Sequence, residues 1–172
     1  IQFFLDMAWN PKAITPNTIF DHTLTFAANQ FGEENAEEIA DIIKLYSKYA
    51  RRVTPELLNA ETYQFNYDEW PTVVREWNNL ELRALRVYQN LDPRWYDAYE
   101  ELILFPIQAM QNVYEMYYSV AMNTKAESPA EINHWAKRVE ELYKRDSLLC
   151  AHYNHEIAGG KWNHMMDQVH IG

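Results

Sequence analysis

Six histidines, four of them at positions 152, 155, 164 and 170, are the side chains best suited to chemistry in this chain. His152 and His155 stand three apart, which places both on one face of a helix and suits two ligands of a metal ion. A zinc site needs three or four convergent donors, and the remaining candidates, His164, Asp167 and His170, follow a Gly159-Gly160 break in irregular chain. Polar packing around the end of a bundle accounts for the same histidines with fewer demands. Glu131-x-x-His134 is half of the carboxylate-bridged di-iron signature, but the second pair is missing. Glu131 also stands three residues after Ser128, where a capping box would use it. His155-Glu156 lacks the second histidine of H-E-x-x-H, and Cys150, the only cysteine, shows no activating neighbour.

Carboxylates occur in pairs at Glu33-Glu34, Glu37-Glu38, Glu100-Glu101 and Glu140-Glu141. They fall mostly opposite the apolar stripes and read as solvated helix faces rather than as the acid and base of a glycosidase. The excess is in aromatic residues, 15% of the chain with six Trp and twelve Tyr. Most keep helical core spacing, whereas Trp9, Tyr63, Phe65, Tyr67 and Trp162 fall at helix ends or in irregular segments. An exposed ring there can stack on the apolar face of a sugar. Docking onto a neighbouring domain explains the same rings with fewer assumptions.

The elements that must position these residues are constrained by composition. With 172 residues and 48% hydrophobic content the chain suits one globular domain. Only four glycines occur, and only Gly32 precedes residue 159, so tight hairpins, phosphate loops and dinucleotide turns lack the residue they depend on. An all-α fold remains. A formal net charge of −10 has the wrong sign for nucleic acid or anionic lipid. One cysteine makes no internal disulfide. No apolar stretch approaches the roughly 20 residues of a membrane span. The start, Ile1-Gln2-Phe3-Phe4, lacks an initiator Met and a basic leader, so the first residue is expected not to be the natural one.

Thr15-Pro16, Thr54-Pro55, Asp92-Pro93 and Ser128-Pro129 each offer a capping oxygen followed by a proline suited to N1, and each reads as a helix start. Ile1, Phe4, Leu5, Ala8 and Trp9 predict the end of an amphipathic helix stopped by Pro11, as though cut from something larger. Further helices are predicted over 16–31, ended by Gly32, and over 34–51, with only a short helical turn at 54–59 and a polar-aromatic linker at 60–67. From Trp70 the positions Val73, Trp77, Leu80, Ala84, Val87 and Leu91 step by three and four, the spacing of bundle packing. The same spacing recurs from Tyr99 through Leu102, Pro106, Ala109, Val113, Met116 and Val120 in a helix over 93–122, which Pro106 should kink, and a second apolar set at Tyr96, Ile103, Met110, Tyr114, Tyr117 and Ala121 marks it as central to the bundle. A last helix is predicted over 129–155. The tail after it has too many large side chains for a solvated end.

Several stretches together resemble glycoside hydrolase family 115, the xylan α-1,2-glucuronidases. They are Phe3-Phe4-Leu5-Asp6-Met7-Ala8-Trp9-Asn10-Pro11, Gln30-Phe31-Gly32, Glu37-Glu38-Ile39-Ala40 and, above all, the tail from Gly159-Gly160-Lys161-Trp162-Asn163-His164-Met165-Met166-Asp167-Gln168 to His170-Ile171-Gly172. The resemblance implies a large, usually secreted, multidomain enzyme that removes 4-O-methyl-glucuronic acid from glucuronoxylan with inversion. It further implies a catalytic barrel, a helical bundle after it and a β-rich domain at the carboxy terminus. An inverting enzyme holds its acid and base roughly 6.5–9.5 Å apart, and the resemblance puts both in the barrel, upstream of Ile1.

The resulting expectation is an all-α, antiparallel bundle of about five helices with irregular ends. Residues 1–11 would belong to the end of a preceding barrel or linker, 12–158 to the bundle, and 159–172 to a tail leading into a following domain. No catalytic residue, cofactor or metal is expected. Trp9, Trp162, Asn163, His164, Asp167 and Gln168 are candidates for interdomain or substrate-groove contacts. The partners implied are neighbouring domains of the same polypeptide and, through the parent enzyme, xylan or decorated xylo-oligosaccharides. A homodimer stays open, nucleic acid and membrane are not expected, and the family implies a periplasmic or extracellular location. The alternative is a freestanding helical module that binds another protein through its aromatic edges.

Overall fold

The computed structural model describes residues 2–168. Ile1, His170, Ile171 and Gly172, named above, lie outside the described residues. Helices α1 (Gln2–Trp9), α2 (Ile19–Phe31), α3 (Ala36–Ala50), α4 (Glu69–Asn90), α5 (Tyr96–Tyr99), α6 (Phe105–Lys125) and α7 (Pro129–His155) carry the chain, and the described residues contain no strand. A π turn, Glu100–Leu104, joins α5 to α6 without interruption, so the expected bundle of about five helices stands, with short α1 beside it.

Helix starts follow the capping chemistry unevenly. Ser128 accepts from the Glu131 amide at 3.2 Å while Glu131 accepts from the Ser128 amide at 3.1 Å, a complete capping box. Asp92 accepts from the Arg94 amide and opens the α5–α6 rod through a 3₁₀ turn, Pro93–Trp95, that runs straight into α5, whereas Thr54 opens only the short turn Pro55–Leu57. Thr15-Pro16 opens no helix. The Thr15 amide donates to Thr18 Oγ1 at 2.9 Å, forming a turn that delays α2 to Ile19. Gly32 ends α2 at φ +84°, with its amide on the Ala28 carbonyl.

The core lies among α2, α3, α4 and the α5–α6 rod. The seven positions of the three-four spacing are all buried, Trp70, Val73, Trp77, Leu80, Ala84 and Val87 in α4 and Leu91 just after it; Val74 joins them, whereas Leu82 is exposed. Trp77 anchors the centre, with Tyr46 and Tyr49 of α3 edge-on at 5.9 and 5.6 Å and Tyr114 of α6 tilted at 5.3 Å. Phe31 of α2 meets Tyr99 edge-on at 5.6 Å. The antiparallel partner α7 packs on α6 through Leu142 and Tyr153, and buried Asn112 donates to the Leu142 carbonyl at 3.0 Å.

The heptad expected on the α5–α6 rod does not hold across the π turn. Leu102 is 45% exposed, whereas Ile103, Leu104 and Ile107 are buried. Pro106 lacks an amide, and its ring would strike the carbonyl four residues back in a regular helix. The chain widens into a π turn just before it, in which the Phe105 amide reaches the Glu100 carbonyl.

Candidate functional site

The clearest unmatched surface is α1. Phe4, Leu5, Ala8 and Trp9 fall at helical spacing and, with Phe3, make α1 largely apolar, yet none of its residues is buried. It is moored at one side only, where His22 Nε2 meets Asp6 at 2.8 Å and the His22 ring meets Phe3 edge-on at 5.4 Å. Beside it a recess of about 390 Å³ opens between α1, α2 and α3, lined by Phe3, Ile19, Phe26 and Ile43. Phe26 and Ile43 also line a second recess that runs to Leu102 and Pro106 at the π turn.

The tail forms a compact polar clip on the end of α7. Buried Asn154 donates to Asp167 Oδ1 at 2.8 Å and accepts the Met166 amide at 2.9 Å. The other Asp167 oxygen meets His164 Nδ1 at 2.6 Å, and Asn163 approaches His164 Nε2 at 3.3 Å. The half-buried Trp162 ring carries the Lys161 ammonium 4.6 Å from its centroid. Gly160, at φ +79°, lets the chain double back, since a Cβ there would sit 3.1 Å from the His155 carbonyl. Asn163, His164 and Asp167 are thus brought together with Asn154, a residue the sequence reading did not single out, and Gln168 adjoins them in the chain. Trp9, 92% exposed at the end of α1, is not part of the clip.

At the π turn, Glu100 accepts from the Tyr88 hydroxyl and faces His152 Nε2 at 2.6 Å. Burial, then the Glu100 hydrogen bond, pushes the Tyr88 phenol well above its ordinary range. Asp97 accepts the Ala158 amide at 3.1 Å, tying the start of the rod to the turn after α7. A polar seam crosses the middle of the bundle. Arg145 of α7 reaches Glu81 of α4 at 2.5 Å and also Gln111 of α6, whose amide donates to Asn78 at 2.7 Å. Arg138 pairs with Glu115 in the same seam.

The remaining chemical candidates have structural partners, except His155, whose side chain is exposed at the end of α7. His152 is engaged with Glu100, Glu131 with the cap, and His134 packs edge-on against Trp135 at 4.9 Å. Burial and then Asp146 push the Cys150 thiol up, away from the thiolate a nucleophile requires. Among the described residues no three of His, Cys, Asp and Glu are grouped to hold a metal ion. Nor is any described helix long and apolar enough to cross a membrane. The Asn154 clip and the seam escaped the sequence reading because their partners lie 12 to 64 residues apart.

These features define an all-α bundle whose polar side chains fasten helices to one another and whose free apolar surface is concentrated on its first helix. Residues 1–57, spanning α1, α2, α3 and the following 3₁₀ turn, match the family described as Glycosyl hydrolase family 115, and the resemblance read from the sequence stands on that match. The tail motif lies outside the matched residues. No curated protein matches the chain.

Proposed function

We propose that this chain is the accessory helical bundle of a xylan α-1,2-(4-O-methyl)glucuronidase, bracing the domain that carries the inverting acid and base. The observation that supports it most is α1. It lies within the family match, yet it turns Phe3, Phe4, Leu5 and Trp9 outward as a domain-docking edge would. In this reading α1 meets a catalytic barrel and the tail clip leads toward a following domain. The chain contributes no catalytic residue, and the parent acts on glucuronoxylan in the periplasm or outside the cell.

Two measurements test the reading. The purified chain, incubated with glucuronic-acid-decorated xylo-oligosaccharides beside the full-length parent, should release no sugar while the parent does. A dye that lights up on apolar surface should lose signal when residues 1–11 and 159–172 are trimmed. An unchanged signal would favour the freestanding protein-binding module instead. Release by the chain alone would refute the accessory role.

A further inference from the structure

The connection between α3 and α4 builds a recess that neither the packing of the bundle nor the docking edge explains. Its volume is about 730 Å³, and Arg52, Tyr63, Gln64, Asn66, Tyr67 and Glu76 line it. Tyr67 stands at its rim with the side chain fully in solvent, at 102% relative exposure. The backbone there is left-handed at two successive non-glycine residues, Tyr67 at φ +61° and Asp68 at φ +55°. Such strain persists only where the surroundings impose it, and here they do. Glu69 accepts the Gln64 amide at 2.7 Å, the Trp70 amide returns to the Gln64 carbonyl at 3.1 Å, and the Trp70 indole donates to the Ala60 carbonyl at 3.2 Å. Tyr63 packs edge-on against Trp70 at 5.0 Å and forms a fixed wall.

The result is a ring carried into solvent on a fixed stretch of backbone, beside planar polar groups. The side-chain amides of Gln64 and Asn66 take no hydrogen-bond partner among the described residues. Arg52 and Glu76 lie 2.5 Å apart on the recess wall, with the Arg52 guanidinium stacked 4.6 Å from the Tyr49 ring centroid. A vicinal diol donates and accepts at once, and adjacent amide, guanidinium and carboxylate groups supply both complements. An exposed ring supplies the apolar face that the C–H side of a pyranose covers. The charge of Arg52 is already matched by Glu76, and Asp68 and Glu69 adjoin the rim, so a ligand carboxylate would be repelled.

We infer that this recess is a subsite for a neutral oligosaccharide chain, stacked on Tyr67 and hydrogen-bonded by Gln64, Asn66 and the Arg52–Glu76 pair. The sugar class rests on the glycoside hydrolase reading above. In that frame the subsite holds the undecorated backbone of the polymer, and the uronic acid lies elsewhere.

The test is calorimetric titration of this chain with xylohexaose, cellohexaose and a glucuronic-acid-decorated xylo-oligosaccharide. A neutral hexaose should bind, Tyr67→Ala should weaken it about tenfold, and Tyr67→Phe, which keeps the ring, should preserve it. Thermal unfolding should be nearly unchanged in both variants because the side chain packs on nothing. Absence of binding by either neutral hexaose, equal binding by Tyr67→Ala, or tighter binding of the decorated ligand through this recess would each overturn the assignment. Sugar release by the parent enzyme is measured separately, so its failure would refute the glucuronidase reading while the titration still decides the subsite.

Discussion

Arg145 and Glu81 meet at 2.5 Å although 64 residues separate them, and this contact passes over α6 to fasten the last helix to α4. Gln111 lies between them and shares Arg145. Outside the seam α7 is held along α6 by Leu142, by Trp135 against Tyr118, by Tyr153 against Phe105 and by the Asn112 and Asn123 bonds to its backbone, and the seam adds the polar tie to α4. A double-mutant cycle of Arg145→Ala and Glu81→Ala in urea should give a coupling of about 1 kcal/mol, since the pair is only partly buried. Strict additivity would show that the pair does not hold α7.

Tyr99 should divide its contribution between ring and hydroxyl. Its hydroxyl donates to the Ala84 carbonyl at 3.0 Å inside the core, and its ring meets Phe31. Tyr99→Phe should cost about 1 kcal/mol, whereas Tyr99→Ala, which opens a cavity, should cost about 3–5 kcal/mol. Equal losses by chemical denaturation would contradict the packing described.

The capping box at the head of α7 should be measurable as a melting shift. Ser128→Ala removes the acceptor for the Glu131 amide, and the midpoint should fall by about 2–4 °C. Ser128→Asp, which keeps an acceptor, should melt near the parent temperature. A full loss in both would point to some other role for Ser128.

Acid should weaken the α3–α4 contact through Asp41. Its hydrogen bond from Lys44 lowers its pKa, burial opposes the shift, and the Arg83 hydrogen bond lowers it further. The folded value lies below the ordinary 3.8. The contribution is therefore complete above that pH and is lost as pH falls through the folded value. Because Asp41 is one-third exposed, the contribution should stay below about 1 kcal/mol. Asp41→Asn should flatten the acid limb of a stability–pH curve by that amount, and an unaltered limb would remove Asp41 from the account.

The core face of α4 was legible because a single uninterrupted period governs it, so the seven positions on that step from Trp70 to Leu91 could be assigned to the core, while buried Val74 lies off the step. The capping box was legible for a similar reason, since both partners sit within one turn. The α5–α6 rod was legible in part: Ile103, Tyr114 and Ala121 of its second apolar set are buried, but Pro106 changes the period locally and a fixed step then puts Leu102 inside. Thr15-Pro16 misled because Thr15 and Thr18 close a turn on each other, the Thr15 amide on the Thr18 hydroxyl and the Thr18 amide on the Thr15 carbonyl, and α2 begins only after it. Of the candidate site, Trp9 and the tail residues could be named, but not that Asn154 organises the tail. The role of Tyr67 depends on a left-handed backbone that no residue type near it demands.

The π turn before Pro106 amounts to one surplus residue within the rod. Removing Leu102, the exposed member, would by itself restore a regular helix and drive the proline ring into the turn behind it. Removing Leu102 together with Pro106→Ala would abolish both the surplus and the obstacle. The deletion is tolerable only together with Pro106→Ala, so a chain that carries the proline has a steric reason to keep the extra residue.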